Sequence, residues 1–240
     1  MAAMIGAVLG SARELGRRSL AGLAAFALPQ RCPGCGAQAS HDQLLCGDCV
    51  ARIPRLAMPL CVQCLVEERE PAGCLRHRGR AAWATWVYDE RVARLIGALK
   101  YGARPGLAAG LGGWIAAALP PGTRPDLVLE VPLHPARQRE RGYNQAALLA
   151  DAVAGALGAP RLASALARTR ATREQAGLGP AARRANPAAA FVVLQPRALE
   201  GRSVLIVDDV LTTGSTLEAC LAPLAACGAA AVAATLAWAQ

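Results

Sequence analysis

Residues 204–216, with the sequence VLIVDDVLTTGST, decide how the rest of the chain is interpreted. The first four are apolar, which predicts a short strand covered on both faces of a parallel sheet. Two adjacent carboxylates, Asp208 and Asp209, end this predicted strand. A turn of small residues at 212–216 then leads into a helical pattern that starts at Leu217. The stretch therefore predicts a strand, a loop and a helix in direct succession.

The loop of this stretch has the groups that bind a phosphate. Its backbone N–H groups and four hydroxyl side chains precede a helix N-terminus, where the helix dipole favours an anion. The two carboxylates would repel the same phosphate, so we expect them to accept hydrogen bonds from sugar hydroxyls. A sugar 5-phosphate at the carboxyl end of a strand satisfies both requirements. A chance strand–turn–helix is the alternative, and the missing Gly-Lys-Ser/Thr disfavours ATP.

The cysteine spacing predicts a metal-binding module nearer the N-terminus. Seven of the nine cysteines and one of the three histidines form four pairs in which the members are separated by two residues. Two such pairs around tight turns supply the four ligands of a tetrahedral zinc ion. We therefore predict one site with four thiolates and one with three thiolates and an imidazole. In chain order the predicted ligands are Cys32, Cys35, Cys46, Cys49, Cys61, Cys64, Cys74 and His77.

Paired cysteines are also compatible with disulfides. Disulfides need an oxidising compartment, however, and we recognise no export signal in the sequence. His41, between two pairs, is a competing metal ligand, although a solvated loop histidine is the simpler interpretation. Cys220 and Cys227, seven residues apart on the predicted helix, are interpreted as buried core cysteines.

Composition limits the cellular setting and the partners. The hydrophobic fraction of 54% is inflated by alanine, and aromatic residues make up only 4%. No segment is long and apolar enough to span a membrane, so we expect a cytoplasmic protein without a membrane span. The formal charge of +9 favours anionic partners.

Strand and helix patterns alternate from residue 81 onward, which predicts a parallel α/β sheet with a ligand at the carboxyl end of a central strand. We assign residues 1–30 to a helical segment, 31–80 to the metal-binding module and 81–240 to the α/β domain. Strands are predicted at 84–89, 127–133, 191–195, 204–207 and 231–238, and helices at 90–101, 105–119, 146–157 and from 217.

Two basic segments are candidate anion sites. Arg137, Arg139 and Arg141, beside Gly142, have guanidinium groups suited to a diphosphate, although the local pattern is also typical of a solvated turn. Residues 168–191 are basic, rich in Gly and Pro and poor in large apolar side chains. They are expected to form a mobile loop or a linker.

In combination, these motifs resemble the ComF/GntX family, in which a double zinc ribbon precedes a type I phosphoribosyltransferase-like domain. The resemblance covers nearly everything after about residue 30. It departs from the family at CLRH, residues 74–77, where a fourth CxxC is more usual. It is carried by the four cysteine pairs and by YDERVARLIGALKY (88–101), VPLHPARQRERGYNQA (131–146), RTRATREQ (168–175), RRANPAAAF (183–191) and VLIVDDVLTTGST (204–216).

The resemblance implies binding of phosphoribosyl pyrophosphate (PRPP) together with Mg²⁺. It makes Asp208 and Asp209 the candidate catalytic residues, placed on the ribose hydroxyls. It places Thr212, Thr213, Gly214, Ser215 and Thr216 around the 5-phosphate. The candidates for the diphosphate and for a flexible loop at 168–190 that closes over the site are Lys100, Arg137, Arg141, Asn144, Gln145, Arg168 and Gln175.

Two functions of different class follow from this resemblance. The first is an enzyme that transfers phosphoribose from PRPP to an acceptor that the sequence does not identify. The second is an adaptor of DNA uptake and natural transformation that keeps the PRPP pocket as a sensor and handles single-stranded DNA with DNA-uptake or recombination proteins. The same residues serve binding and catalysis, so the sequence does not separate turnover from sensing.

Overall fold

The computed structural model describes residues 31–39, 43–56, 59–65, 74, 77, 79–101, 104–168 and 190–240. They belong to two compact units, divided between Arg52 and Ile53. The smaller unit holds the first cysteine group and a short helix, and the larger holds the second group and the α/β sheet. The predicted boundaries at 30/31 and 80/81 stay predictions, and the predicted helical segment 1–30 lies outside the described residues.

The larger unit is built on a five-stranded sheet with the order β1–β2–β7–β6–β3. All neighbours in it are parallel except β1, which pairs antiparallel with β2. This confirms the predicted α/β fold with a parallel sheet. The strands described are β1 (Leu60–Cys61), β2 (Ala81–Val87), β3 (Leu127–Glu130), β4 (Leu166–Arg168), β5 (Phe191–Val193), β6 (Ser203–Leu211) and β7 (Ala230–Trp238).

Strand β6 lies between β3 and β7 in the interior of the sheet. Its residues from Val204 to Val207 are at most 1% exposed, as a strand covered on both faces requires. The predicted strand comprises residues 204–207 with the carboxylates at its end, but β6 runs on to Leu211 because β7 continues alongside it as far as Trp238. The carboxylates therefore lie within the last part of the strand rather than after it.

Seven helices lie in the described residues, and α2 shows most directly how the sequence forms one. Its buried residues Val92, Leu95, Ile96 and Leu99 recur at helical spacing, and the Asp89 side chain caps its first turn with a 2.8 Å bond from the Val92 N–H. The helices are α1 (Gly47–Arg52), α2 (Glu90–Tyr101), α3 (Leu107–Ala118), α4 (Pro135–Arg141), α5 (Gln145–Leu157), α6 (Pro196–Leu199) and α7 (Ser215–Ala226).

The basic segment after β3, which the sequence suggests is a turn, forms helix α4 instead. Its residues form a helix because both ends are capped. The His134 ring accepts a 3.2 Å hydrogen bond from the Ala136 N–H, and Pro135 occupies the first helical position. Gly142 ends the helix in the left-handed conformation, with φ of 82°. No residue of α4 is buried, so it lacks the apolar periodicity on which the helix predictions depend.

Two further features complete the larger unit. Strands β4 and β5 pair antiparallel, with Arg168 opposite Phe191. The predicted mobile segment at 168–191 falls between these strands, and its residues 169–189 lie outside the described part of the chain. Among the described residues, no helix has the length and apolar character needed to cross a membrane.

Candidate functional site

The two adjacent carboxylates of β6 have different surroundings. Successive side chains leave a strand on opposite sides, so these two do not share one environment. The Asp209 side chain is only 7% exposed and forms an ion pair with Lys100, at the end of α2. Asp208 is half-buried, and its Oδ1 accepts a 2.8 Å hydrogen bond from the Asp209 N–H. One carboxylate is thus neutralised by a cation, while the other depends on a backbone donor.

These surroundings make the charge of Asp208 costly. Burial raises the pKa of Asp208 well above its usual value, and the neighbouring Asp209 carboxylate adds to the rise. The Asp209 N–H and the more distant Lys100 charge act in the opposite direction. Hydroxyl groups that donate hydrogen bonds stabilise the ionised form of such a carboxyl group. The pair is therefore suited to a ligand with neighbouring hydroxyls.

The loop after β6 presents polar groups at the start of α7. Thr212, Thr213 and Ser215 are exposed, and the hydroxyls of Thr213 and Ser215 are hydrogen-bonded at 2.9 Å. Gly214 is buried and left-handed, with φ of 73°, and it directly precedes the helix. The first N–H groups of a helix have no carbonyl partner within it, so they bind anions well. We call residues 212–216 the phosphate loop.

A second wall of the site comes from the end of α2 and the segment before α5. The Tyr143 hydroxyl donates to the carbonyl oxygen of Leu99, the residue before Lys100. The Asn144 amide donates a 3.0 Å bond to the carbonyl oxygen of Val131, whose N–H bonds to the carbonyl oxygen of Val207 in β6. These bonds fix Lys100 and Asn144 relative to the carboxylates.

Several predicted diphosphate residues belong to this wall. Arg141 donates to the buried side chain of Gln145, and its guanidinium lies 5.0 Å from the ring centre of Tyr101. Tyr101 is 73% exposed, so one face of this stacked pair remains open to water. Asn144 also caps α5, through a 3.1 Å bond from the Ala146 N–H. Lys100, Arg141, Asn144 and Gln145 are thus brought together.

Arg137 and Arg168, two of the other three predicted residues, have different surroundings. Arg137 is exposed on α4, and within the described residues no hydrogen bond or ion pair joins it to the wall. Arg168 ends β4, where its guanidinium lies 5.4 Å from the ring centre of Phe191. Gln175 lies outside the described residues.

The smaller unit brings together four predicted thiol ligands. The Sγ atoms of Cys32 and Cys49 lie 3.8 Å apart, and those of Cys35 and Cys46 lie 3.6 Å apart. Zinc–sulfur bonds of about 2.3 Å place tetrahedral ligands roughly 3.8 Å from one another. A disulfide holds its sulfurs about 2 Å apart, and all four of these cysteines are free. The first cluster therefore fits a tetrahedral zinc ion and does not fit disulfides.

The larger unit holds the second cluster, which has one imidazole. The Sγ atoms of Cys64 and Cys74 are 4.0 Å apart. His77 takes part through Nδ1, at 3.6 Å from the Cys61 sulfur and 3.8 Å from that of Cys74. In each cluster the four ligand atoms lie within 4.8 Å of one another. His41, the competing ligand, lies outside the described residues.

Crowding of the thiols also favours a cation in each cluster. In the first cluster, main-chain N–H donors, led by Cys46, outweigh burial and lower the pKa of Cys32 to about 7. Burial and the neighbouring thiols of Cys35 and Cys32 raise the pKa of Cys49. Burial and the neighbouring thiols of Cys61 and Cys74 raise the pKa of Cys64 to about 11. Thiols that hinder one another's ionisation all become thiolates around a divalent cation. Both clusters therefore support structural zinc.

One contact near the phosphate loop was not predicted from the sequence. Arg80 forms a 3.0 Å ion pair with Glu218 in the first turn of α7. Both side chains are 20% exposed. Glu218 carries the charge that is expected near a helix N-terminus, but no local pattern links it to a residue so far away in the chain.

Comparison with known protein families finds a match for each of the two predicted domains. Residues 23–76 match the model of the double zinc ribbon domain, and residues 139–240 match that of the phosphoribosyl transferase domain. DNA utilization protein YhgH of Escherichia coli (strain K12) is 32% identical over 84% of this chain and 80% of its own length. Competence protein F of Haemophilus influenzae is 30% identical over 78% of this chain and 75% of its own length.

Solved structures similar to the chain include two enzymes. One is the glutamine PRPP amidotransferase from B. subtilis complexed with ADP and GMP, with 22% identity and a TM-score of 0.41 over 57% of this chain. The other is the allosteric regulatory enzyme of purine biosynthesis, with 22% identity and a TM-score of 0.39 over 54% of this chain. The aligned parts cover only 29% and 25% of those chains.

The domain models occur in the order that the sequence analysis predicts, and the relatives cover most of the chain as well as most of their own length. The chain therefore belongs to the ComF/GntX family, in which a double zinc ribbon precedes a phosphoribosyltransferase domain.

Proposed function

We propose that the chain binds PRPP with Mg²⁺ and transfers its phosphoribosyl group to an acceptor. The observation that carries this proposal is the order of groups along β6 and α7. Two carboxylates, one buried against Lys100, are followed after two apolar residues by a loop with exposed hydroxyls and a helix N-terminus. The matching phosphoribosyltransferase domain model supports the same ligand.

The carboxylates are assigned to the ribose. Asp208 and Asp209 accept hydrogen bonds from the 2- and 3-hydroxyls. These bonds stabilise the ionised form of Asp208, which burial disfavours. The phosphate loop binds the 5-phosphate through its amides and hydroxyls. The carboxylates and the phosphate loop lie within a few residues of each other, at the end of β6 and directly after it.

The wall formed by Lys100 and Arg141 is assigned to the diphosphate. The diphosphate is attached to C1 of the ribose, next to the 2-hydroxyl, so its binding groups must lie beside the carboxylates. The Lys100 ammonium meets this requirement because it contacts Asp209. Asn144 and Gln145 hold the backbone and Arg141 in place, through the Val131 carbonyl and the Arg141 guanidinium respectively.

In the proposed reaction the bond from C1 to the diphosphate oxygen breaks, and the diphosphate leaves with the electron pair. A bond forms between C1 and the acceptor, which loses a proton to solvent or to a basic group. Bound Mg²⁺ would neutralise part of the diphosphate charge. Lys100 and Arg141 stabilise the charge that develops on the leaving group, and the carboxylates hold the ribose in place.

Isothermal titration with PRPP and Mg²⁺ tests the binding step. We expect saturable binding that ribose 5-phosphate weakens by competition and that ATP affects little. No measurable binding up to about millimolar PRPP, weaker than roughly −4 kcal/mol, would overturn the proposal.

Turnover needs a separate measurement because sensing and catalysis share the binding residues. Diphosphate release from PRPP should be followed with bases, amines and single-stranded oligonucleotides as acceptors. Release that depends on one acceptor class identifies an enzyme. Binding without release for every acceptor identifies a PRPP sensor.

The names of the relatives favour a second function, the handling of single-stranded DNA in DNA uptake. DNA utilization protein YhgH and Competence protein F both align with most of this chain. The net charge of +9 suits a nucleic acid, and the aromatic fraction of 4% favours phosphate contacts over base stacking. We propose a cytoplasmic protein that works with DNA-uptake or recombination proteins.

DNA binding is tested with labelled single-stranded and double-stranded oligonucleotides of one length. We expect a preference for single strands, little base specificity and a loss of affinity between about 50 and 200 mM salt. Affinity that hardly changes with salt, or that requires one base sequence, would contradict this function.

A further inference from the structure

The second metal cluster contacts the phosphate loop through the backbone of Val62. Val62 follows the ligand Cys61 and is fully buried. A Cβ atom built on Gly214 would overlap the Val62 carbonyl oxygen and would lie 3.0 Å from its carbonyl carbon and 3.2 Å from its Cγ1. Glycine is thus required at 214 for two reasons, its positive φ and the close approach of the backbone next to a metal ligand.

A second contact joins the same two regions. Arg80 bonds to Glu218 at 3.0 Å, and the Glu218 N–H donates a 2.8 Å bond to the Gly214 carbonyl oxygen. The backbone of Arg80 is itself held by the cluster segment, because its N–H donates to the carbonyl oxygen of His77 and its carbonyl oxygen accepts from the Val62 N–H. Val62 and Arg80 therefore connect two metal ligands to both ends of the first turn of α7.

In the described residues, the segment that carries Cys61 is held by one short strand, by one turn and by the buried side chains of Leu60 and Val62. Strand β1 is only two residues long, and Cys61 is both its last residue and a ligand. The turn after it is closed by a 2.7 Å bond from the Leu65 N–H to the Cys61 carbonyl oxygen. A metal ion bound by all four ligands would add a further restraint to those of the strand, the turn and the buried side chains.

From these contacts we propose that the second zinc cluster is a positioning element for the phosphate loop. Zinc held by Cys61, Cys64, Cys74 and His77 would fix Val62 and Arg80, which in turn hold Gly214 and Glu218. The loop amides would then stand in their phosphate-binding arrangement before the ligand arrives, so that less ordering is needed on binding. The role in ligand binding rests on the proposed function, whereas the effect on the loop does not.

The test compares variants at His77 with a variant of the other cluster. His77→Ala removes a ligand of the second cluster, His77→Cys keeps four ligands, and Cys35→Ala removes a ligand of the first cluster. Each full-length protein is measured for zinc content, for hydrogen exchange of a peptide spanning residues 212–221, and for binding of PRPP with Mg²⁺.

We expect His77→Ala to lose one zinc and to exchange the 212–221 amides faster, with a PRPP affinity about tenfold lower. His77→Cys should behave as the wild type in all three measurements. Cys35→Ala should lose one zinc and leave the exchange of 212–221 unchanged. The proposal would be overturned if the 212–221 amides of His77→Ala exchanged at the wild-type rate. It would also be overturned if Cys35→Ala accelerated their exchange as much as His77→Ala does. Failure of the wild type to bind PRPP would refute the proposed function alone.

Arg80 gives a second test that leaves all eight metal ligands in place. Arg80→Met should keep wild-type zinc content but accelerate exchange at 212–221 and weaken PRPP binding by roughly two- to tenfold. The reversed pair, Arg80→Glu with Glu218→Arg, should restore part of both losses. A general loss of stability would not be rescued in this way, and an Arg80→Met variant with wild-type exchange would count against the contact.

Discussion

Asp209 holds a charge that is almost closed off from water, and its partner in the structure is Lys100. The change Asp209→Asn keeps the shape of the side chain but removes the charge that strengthens its bonds to ribose hydroxyls. We expect PRPP affinity to fall by about ten- to a hundred-fold, as measured by titration calorimetry with Mg²⁺. Unaltered affinity in a folded variant would show that this carboxylate does not touch the ligand.

Lys100→Met tests the other member of this ion pair and should lower the free energy of unfolding more than Asp209→Asn does. It leaves the Asp209 carboxylate, 7% exposed, without its cation, which costs about 3–5 kcal/mol in comparable buried pairs. Asp209→Asn leaves Lys100 at 22% exposure, from which its ammonium can reach water. Urea unfolding should therefore rank Lys100→Met as the less stable variant. The reverse order would contradict the burial of Asp209.

Asp208 gives a prediction about pH. The pKa of Asp208 in the folded protein lies above 3.8, its ordinary value, which we take for the unfolded chain. The free energy of unfolding therefore falls as pH rises from 3.8 through the higher pKa of the folded state. Asp208→Asn has no such loss and keeps the acceptor for the Asp209 N–H. We expect the variant to exceed the wild type in free energy of unfolding at about pH 8, with a smaller difference at about pH 4. A difference that does not grow with pH would refute this.

The sequence predicts these residues because the chemistry is local. Carboxylates, hydroxyls and Gly214 lie within nine consecutive residues, 208–216, and one strand–loop–helix presents them all. The Arg80–Glu218 pair joins residues 138 positions apart, so no spacing rule points to it. The overlap of Val62 with a Cβ at Gly214 is equally remote in sequence.

At the level of the elements, prediction succeeded where burial is periodic. The bounds of α2 follow from an apolar face that recurs at helical spacing, and they agree with the sequence prediction. Helix α4 was missed because it buries no residue, and only its caps, His134 and Gly142, mark its ends. The extension of β6 beyond Asp208 was missed because it depends on pairing with β7 rather than on hydrophobicity.

Two neighbouring glycines of α3 should respond in opposite ways to the same change. A Cβ on Gly112 would overlap that of Ala152 in α5 and lie 3.0 Å from its carbonyl carbon, whereas a Cβ on Gly113 meets nothing within 4 Å. Gly112→Ala should lower the free energy of unfolding by about 1–3 kcal/mol. Gly113→Ala should raise it by about 0.5–1 kcal/mol through helix propensity. Thermal or urea unfolding that gives both changes the same sign would contradict the packing of α3 on α5.

For the molecule as a whole, zinc content tests the metal-binding module. We expect two zinc ions per chain in elemental analysis of the purified protein, one for each cluster. Structural zinc contributes on the order of 10 kcal/mol to the folding of a small ribbon, so removal by a chelator should unfold the ribbon locally. One zinc per chain would contradict one of the clusters, and none would contradict the module.

The overall architecture could be predicted because strands and helices alternate and because the cysteine pairs are spaced for metal. The division of the chain stays a prediction. The cysteine spacing groups all eight ligands in one module ending near residue 80, whereas the second cluster belongs to the same compact unit as the sheet. Within that unit, β1 pairs with β2 over two residues on each strand, and Leu60 and Val62 belong to the hydrophobic core.

The pairing of β1 has a consequence for how this protein can be divided. Leu60 and Cys61 cover part of the outer edge of β2, and Arg55 bridges to Trp86 farther along it. A fragment that began at residue 81 would expose that edge as a row of unpaired amides and carbonyls, which is a template for aggregation. A fragment that began at Ile53 would keep it covered. The second half of the zinc ribbon thus covers an edge of the sheet that would otherwise be open to pairing with another chain.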